Sequence, residues 1–192
     1  MAFADRLELP LRFDPVRLYG DLKALQVVAW TPHFVQQNYE GDWSVLALRA
    51  PADAVHPIMM ITSSPGVTDY KDTPLLRDTP YFREVLHSFE CPLQAVRLMR
   101  LKPGSVIKEH RDHDLAFETG TARLHIPVIT NSEVDFRLCG RRVTMEPGSV
   151  WYLRLSEPHS VVNAGATDRV HLVIDAQSND WLQALLARGT PH

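Results

Sequence analysis

Cysteine is scarce in this chain, whose 192 residues include only Cys91 and Cys139. Two cysteines without a CxxC spacing are too few for a disulfide scaffold. The formal net charge is −3, so the chain lacks the basic excess typical of proteins that bind nucleic acid or anionic membranes. No apolar run approaches the roughly 18 residues that a membrane-spanning helix needs. With 45% hydrophobic residues, the composition is typical of a soluble globular domain.

Several active-site and targeting motifs are also absent. The sequence contains no GxSxG turn, no Walker phosphate loop and no GxGxxG dinucleotide-binding turn, which disfavours the enzyme classes built on them. Its first ten residues, MAFADRLELP, include acidic residues and no apolar stretch, unlike a secretory signal. We therefore expect a cytoplasmic protein, in keeping with its low cysteine content.

Strand-like segments make up most of the chain. Short runs rich in β-branched and aromatic residues alternate with turn sequences such as KPG, TNSE and EPG. Their spacing predicts a mainly β, cupin-like fold, an eight-stranded jelly roll with a few flanking helices. We predict one domain over 1–192, with flanking strands and helices in 1–93, the jelly-roll core in 94–176 and a C-terminal helix in 177–192.

Capping residues and apolar stripes predict three helices. Asp14 and Thr79, each followed by a proline, mark two helix starts, and the sequence SNDWLQALLARG marks a third helix near the end. The apolar segments QVVAW (26–30) and PIMMIT (57–62) are predicted as strands. The polar, proline-rich segment 63–80 is long enough to be a loop over a pocket, although an ordinary surface loop is the default interpretation.

The segment IKEHRDHDL contains two histidines and three carboxylates in nine residues. Because side chains alternate along a strand, His110 and Asp112 face one side, with Asp114 if the strand continues. Glu109 and His113 then face the other side. The pattern favours His110 and Asp112 as metal ligands, but pairs of this kind are common in solvated turns.

A third ligand is offered by His159, which follows a proline at the start of a later predicted strand. Two histidines and one carboxylate on one face of a divalent metal leave other coordination positions open. This is the ligand set of non-haem Fe(II) oxygenases. The sequence therefore predicts a metal site formed by His110, Asp112 and His159.

Arginines on three predicted strands favour an anionic guest. Arg169 begins the apolar strand RVHLVID, where a guanidinium could form two parallel hydrogen bonds with a carboxylate. Arg123 and His125 share one strand face, and Arg97 lies on the corresponding face of AVRLMRL. Polar groups inside a barrel are costly unless they meet a partner, so we expect a cationic pocket for carboxylates. The alternatives are solvent-facing arginines and a rim salt bridge from Arg169 to a nearby aspartate, Asp168 or Asp175.

Together, the segments EHRDHDL, RLHIPV, GSVWYLRLSEPHSVVN and DRVHLVID resemble the aspartyl/asparaginyl β-hydroxylase family of Fe(II)/2-oxoglutarate-dependent oxygenases. The upstream segment WTPHFVQQNYEGDWSVLALRAP is also similar, so the resemblance runs from about Trp30 to Asp175. It implies a double-stranded β-helix, the jelly-roll form of the predicted fold, with Fe(II) held by His110, Asp112 and His159.

The same resemblance implies roles for the inward-facing basic residues. Arg169 is expected to pair with the distal carboxylate of 2-oxoglutarate. Arg123 and His125 match an RxH pair that contacts the cosubstrate or a substrate carboxylate, and Arg97 matches the position of a basic substrate contact. Met99 stands where other members carry a polar residue.

The resemblance implies a dioxygenase that uses Fe(II), 2-oxoglutarate and O2 to hydroxylate an unactivated C–H bond, releasing succinate and CO2. Its expected partner is a small amino acid or a peptide with an aspartyl/asparaginyl-type residue, with no nucleic acid and no membrane. Two alternatives remain open. One is a cupin-like hydrolase or isomerase using Zn(II) or Mn(II), with Glu109 or His113 as base. The other is a non-catalytic jelly roll that binds carboxylates.

Overall fold

The structure is a computed structural model that describes residues 3–62 and 66–192. Strands account for most of the regular structure in these residues. They are β1 (Arg6–Arg12), β2 (Thr31–Pro32), β3 (Tyr39–Glu40), β4 (Trp43–Pro51), β5 (Tyr70–Asp72), β6 (Leu93–Leu101), β7 (Val106–His110), β8 (Thr121–Ile129), β9 (Val134–Leu138), β10 (Arg141–Arg142), β11 (Ser149–Leu153), β12 (His159–Asn163), β13 (Arg169–Gln177) and β14 (Thr190–Pro191). The α-helices are α1 (Pro15–Ala24), α2 (Pro57–Ile61), α3 (Pro74–Arg77), α4 (Pro80–His87) and α5 (Asp180–Ala187).

The described strands form two antiparallel sheets. The larger has the order β14-β1-β11-β8-β13-β6-β4-β2, with β5 paired to β4, and the smaller has the order β10-β9-β12-β7-β3. From β6 to β13 the chain passes repeatedly from one sheet to the other, which is the winding of a jelly roll. The prediction of a mainly β, double-stranded β-helix is confirmed.

Two apolar clusters lie on opposite faces of the larger sheet. One fills the space between the sheets, with Met99, Trp151 and Val173 meeting Phe136 and Leu138 of β9. The other lies on the outer face of the larger sheet, under the helices. Its members include Leu18, Phe82, Leu98, Leu124, Leu172 and Leu185. Because side chains alternate, Leu124 packs towards the helices while its neighbours Arg123 and His125 face the space between the sheets.

The three predicted helices are present. Helix α1 starts at Pro15 because Asp14 caps it, with its carboxylate accepting bonds from the backbone N–H groups of Val16 and Arg17. Helix α4 starts at Pro80 after Thr79, whose hydroxyl donates to the carbonyls of Leu75 and Leu76 and does not cap α4, and α5 is capped by the Asn179 side chain. Helix α1, with ten residues, is the longest described, and no described helix is long and apolar enough to cross a membrane.

Two strand predictions in the first third are wrong. In segment 57–62, residues Pro57–Ile61 form α2, because His56 caps the first turn through Nδ1 and Pro57 occupies the first helical position. In segment 26–30 no strand forms: the chain turns after α1, Val27 is 88% exposed, and Val28 and Trp30 pack on the outer apolar cluster without pairing to a strand. Of the suggested loop 63–80, residues 63–65 lie outside the described residues. The remainder contains β5 and α3 rather than one continuous loop.

Candidate active site

The predicted metal ligands meet at one end of the smaller sheet. His110, the last residue of β7, is the direct cross-strand partner of His159, the first residue of β12. Their ring centroids are 4.3 Å apart. Asp112 follows two residues later, where its backbone N–H donates to the carbonyl of Leu155 at 2.8 Å. One potential ligand atom from each of the three side chains lies within 4.8 Å of the others, which is close enough to hold one metal ion.

Both candidate histidine ligands have a fixed tautomer. Nδ1 of His110 lies 2.7 Å from the carbonyl oxygen of Lys108, and Nδ1 of His159 lies 3.0 Å from that of Glu157. A carbonyl can only accept a hydrogen bond, so each Nδ1 carries the proton and each Nε2 keeps its lone pair for a metal. Burial lowers the pKa of His159 to about 4, which keeps this imidazole neutral, the form that binds metals.

The other groups of the IKEHRDHDL segment lie outside this cluster. Glu109, His113 and Asp114 are exposed, whereas His110 and Asp112 are partly buried. β7 ends at His110, and the positive φ of 61° at Asp114 shows that the chain has turned there. His110 and Asp112 still lie together as expected from the sequence, and Asp114 does not join them.

A buried ion-pair network adjoins Asp112. Arg123 donates from Nε and Nη2 to the two carboxylate oxygens of Asp175, at 2.6 and 3.0 Å, and from Nη1 to Asp112 at 2.7 Å. Arg97 donates from Nη1 to Asp175 at 2.9 Å. Arg97, Arg123 and Asp175 are all at most 8% exposed. Both arginines point inward as predicted, but carboxylates of the chain balance their charges, so this part of the interior is less cationic than the sequence suggested.

Arg169 is buried without an acidic partner in the described chain. It is 3% exposed, and its Nη2 donates to Nδ1 of His171 at 3.0 Å, while its Nε has no hydrogen-bond partner among the described residues. The rim salt bridge to Asp168 or Asp175 does not form, because Arg169 is interior and Asp175 serves the other two arginines. Burial lowers the pKa of Arg169 to about 9, the direction expected for a cation removed from water without an anion.

His125 belongs to the same polar group. Its Nδ1 lies 3.3 Å from Nδ1 of His171, and its Nε2 has no hydrogen-bond partner in the described part of the chain. Burial and the charge of Arg169 lower the pKa values of His125 and His171 well below the ordinary 6.5. Phe136 lies between this group and the metal end, since its ring stacks on His159 and lies 5.9 Å from the Arg169 guanidinium carbon.

Space for a small molecule exists next to this polar group. A cavity of about 580 Å³ lies against Phe136, Met145 and His171 and is edged by the polar residues Asn131 and Arg142. The cavity meets the polar group at His171, and a cavity with apolar walls and a few polar side chains is typical of a site for a small ligand.

Sequence reasoning missed part of the site. Asp175 was considered only as a rim partner of Arg169, and its pairing with Arg97 and Arg123 depends on strands far apart in sequence. Trp43 belongs to the apolar cluster between the sheets, and its ring also stacks on His33 at 3.5 Å and lies 6.4 Å from the His110 ring. Trp43 Nε1 also lacks a hydrogen-bond partner within the described residues. No pattern in the sequence singles out His33.

The candidate site lies in a region of the chain that matches a known protein family. The family model described as aspartyl/asparaginyl beta-hydroxylase matches residues 19–179, which include all the candidate site residues. The chain belongs to the aspartyl/asparaginyl beta-hydroxylase family. The resemblance inferred from the sequence motifs is confirmed.

This member of the beta-hydroxylase family is also similar to an enzyme with a named activity. L-proline cis-4-hydroxylase of Rhizobium meliloti (strain 1021) is 27% identical over 179 residues, covering 92% of this chain. The chain spans 62% of the length of that relative.

Solved structures share the fold at low sequence identity. A prolyl-4-hydroxylase of Pseudomonas putida has a TM-score of 0.53 and is 10% identical, covering 92% of this chain and 94% of its own. SnoK, a non-heme alpha-ketoglutarate-dependent carbocyclase from nogalamycin biosynthesis, has a TM-score of 0.58 and is 9% identical, covering 91% and 80%. At these identities the likeness supports the fold alone.

Proposed function

We propose that this chain is an Fe(II)- and 2-oxoglutarate-dependent dioxygenase that hydroxylates an unactivated C–H bond of an amino acid or of an aspartyl/asparaginyl-type residue. The observation that carries the proposal is Arg169, a buried guanidinium without an acidic partner in the described chain, inside the same jelly roll as the His110–Asp112–His159 cluster. A buried charge without a counter-charge is costly. A cosubstrate carboxylate would supply the missing anion.

The donor set fits Fe(II). Two neutral imidazole Nε2 atoms and one carboxylate oxygen suit a divalent transition metal and leave positions open for further ligands. Bound Fe(II), with O2 and 2-oxoglutarate, would supply the oxidising chemistry that releases succinate and CO2. The backbone carbonyls of Lys108 and Glu157 orient the two imidazoles before the metal arrives.

Arg169 and His125 would hold the far end of 2-oxoglutarate. Two parallel hydrogen bonds from a guanidinium to a carboxylate fix direction as well as distance, so Arg169 would set the angle of the cosubstrate. The unpartnered Nε2 of His125 would then find its partner on the same ligand, and Phe136 would exclude water. Arg123 and Arg97 remain candidates for carboxylate contacts, with Asp112 and Asp175 as their partners in this structure.

An amino acid is the best-supported substrate class. The 27% identity to an L-proline cis-4-hydroxylase over 92% of the chain makes free L-proline the first compound to test. The cupin-like hydrolase or isomerase has less support, because its candidate bases Glu109 and His113 are exposed outside the cluster. A non-catalytic carboxylate-binding module leaves the metal cluster without a role.

The proposal is tested by loading the protein anaerobically with Fe(II), 2-oxoglutarate and an amino-acid library, then admitting air. We expect a product heavier by one oxygen atom, with matching succinate, detected by mass spectrometry. Asp112→Ala is the matched control and should form neither. Succinate without dependence on Asp112, or no succinate with any amino acid or aspartyl peptide, would contradict the proposal.

A further inference from the structure

Arg123 uses all three nitrogens of its guanidinium on two carboxylates. Nε and Nη2 bond to Oδ1 and Oδ2 of Asp175, and Nη1 bonds to Oδ2 of Asp112 at 2.7 Å. The side chains of Arg123 and Asp175 are 9% and 3% exposed, so little water competes for these bonds. The planar guanidinium is therefore fixed on one side by Asp175 and donates one N–H of Nη1 to a candidate metal ligand.

The two oxygens of Asp112 have different surroundings. Oδ2 accepts from Arg123, whereas Oδ1 lies 3.6 Å from Nε2 of His110, on the side where the ligand atoms converge. A carboxylate can bind a metal through one oxygen or through two. With Oδ2 held by a charge-assisted hydrogen bond, Oδ1 is the oxygen left to face a metal.

We propose that Arg123, anchored by Asp175, is a positioning residue that makes Asp112 a ligand through one oxygen only. This inference rests on the metal site of the proposed function. A carboxylate bound through both oxygens would take up one more coordination position, and the proposed reaction needs the remaining positions for 2-oxoglutarate and O2. The role thus differs from the direct cosubstrate or substrate contact expected from the family resemblance.

The charge balance of the network supports this role. Arg97 and Arg123 carry two positive charges, and Asp112 and Asp175 carry two negative charges, so the four groups together are formally neutral. Arg97 bonds to the same Oδ2 of Asp175 that accepts from Nη2 of Arg123, which further fixes the anchor. Nη1 of Arg123 carries a second N–H besides the one that bonds to Asp112, so the test must also measure whether Arg123 contacts the substrate.

The test is a Co(II) titration followed by visible absorption, because Co(II) stands in for Fe(II) without needing O2 or turnover. Its ligand-field bands report coordination number and geometry. We expect Arg123→Lys to weaken Co(II) binding by roughly 10–100-fold, as is usual when a group that orients a ligand is changed, and to alter the bands. Lysine keeps the charge but cannot bond to both carboxylates in a fixed plane. Asp175→Asn, which keeps Arg123 but loosens its anchor, should shift affinity and spectrum in the same direction.

Two comparisons separate positioning from a general loss of structure. In an Asp112→Ala background, Arg123→Lys should cause no further loss of Co(II) affinity, because the group it orients is gone. Arg6→Lys is the matched control, because Arg6, the first residue of β1, is also a buried arginine and pairs with Asp5. It should lower the unfolding temperature without changing the Co(II) spectrum.

The outcomes distinguish this inference from the proposed function. If the wild-type protein and Asp112→Ala bind Co(II) equally weakly, the metal site itself is wrong. If Asp112→Ala loses binding while Arg123→Lys and Asp175→Asn, folded by circular dichroism, match the wild type in affinity and spectrum, the positioning role is wrong. A normal spectrum in Arg123→Lys with a raised KM for the amino acid would assign Arg123 to the substrate instead.

Discussion

At the scale of single residues, the two candidate histidine ligands share one local device. Each donates from Nδ1 to the carbonyl oxygen of the residue two positions earlier, Lys108 for His110 and Glu157 for His159. The bond needs no distant part of the chain, so the tautomer of each ligand is set next to its own backbone. The hydrogen-bond partners of Arg169 and Arg123, by contrast, depend on how the strands pack together.

We expect the affinity for 2-oxoglutarate to depend on Arg169. Removing its charge in Arg169→Gln should weaken 2-oxoglutarate binding to the metal-loaded protein by roughly 10–100-fold, because a hydrogen bond to a charged group contributes about 1.5–3 kcal/mol. Arg169→Lys should give a smaller loss, since it keeps the charge but not the paired geometry. Isothermal titration calorimetry without O2 measures both. Arg12→Gln, at a side chain 62% exposed, is the control that should change nothing, and unchanged affinity in Arg169→Gln would remove its assigned role.

We expect the contribution of Asp175 to the stability of the fold to depend on pH. Burial alone would raise the pKa of Asp175, but the charges and hydrogen bonds of Arg123 and Arg97 outweigh it and hold the pKa well below the ordinary 3.8. The ionised carboxylate therefore stabilises the fold fully above pH 3.8, and this contribution is lost as pH falls through the lower folded-state pKa. At neutral pH, Asp175→Asn should cost roughly 3–5 kcal/mol, because it leaves buried guanidinium groups without their counter-charge.

Urea unfolding of the wild type and Asp175→Asn at pH values of about 7, 5 and 3 tests this expectation. The difference in free energy of unfolding should stay constant from pH 7 to about pH 4 and shrink below it. A difference that grows on acidification would show that Asp175 is not held as an ion in the folded protein.

At the scale of elements, the turn before β11 depends on glycine. Gly148 has a φ of +79°, and a Cβ atom there would lie 2.2 Å from the backbone oxygen of Phe13. The backbone N–H of Phe13 donates to the carbonyl of Gly148, and that of Gly148 donates to the carbonyl of Pro127. These bonds join the turn to β8 and to the residue that follows β1. The turn thus fixes where β11 begins against β8.

Gly148→Ala and Gly140→Ala form a matched pair for this turn. Gly140 also has a positive φ, +72°, but a Cβ atom there would meet nothing within 4 Å. Both variants should lose about 1–2 kcal/mol from the left-handed backbone, and Gly148→Ala should lose more because its clash is with backbone. Urea unfolding compares the two. Equal losses of unfolding free energy would mean that the backbone at Phe13 moves to accommodate the added methyl group at little cost.

At the scale of the whole molecule, the two sheets enclose polar groups between apolar walls. The metal cluster, the Arg123–Asp175 network and the Arg169 group all occupy this interior, while the helices cover the outer face of the larger sheet. These polar groups lie on several strands, so a ligand that bonds to them links those strands. Binding should therefore stabilise the entire fold, since the unfolded chain has no such site.

Metal binding should accordingly raise the thermal unfolding midpoint. At a Co(II) concentration 100 times its Kd, the fold gains about 2.7 kcal/mol, which corresponds to roughly 5–11 °C for a protein of this size. Differential scanning fluorimetry measures the shift, and adding 2-oxoglutarate should extend it. His159→Ala should lose the metal-induced shift. An equal shift in that variant would place metal binding elsewhere in the protein.

Local patterns were sufficient for much of the fold and for the residues of the candidate metal cluster. Strand alternation predicted that His110 and Asp112 share a face, and the proline before His159 marked the start of β12. Local patterns failed for segment 57–62, because a short apolar run fits a strand or a buried helix, and there the His56 cap and Pro57 decided. They also failed for Asp175, whose partners Arg123 and Arg97 lie 52 and 78 residues away.

The sequence by itself determined the jelly roll and the inward faces of β6, β8 and β13, because alternation and turn chemistry are local properties. It determined the family through the motifs around His110, Arg123, His159 and Arg169. Only the tertiary structure decided which inward charges balance one another. Three arginines look alike on their strands, but strand pairing aligns Asp175 with Arg123, and no described carboxylate pairs with Arg169. Charge compensation depends on distances between strands that are distant in the chain. The family resemblance suggests Arg169 for the distal carboxylate of 2-oxoglutarate, but only the folded protein shows that Arg97 and Arg123 pair with carboxylates of the chain whereas Arg169 pairs with none that the structure describes.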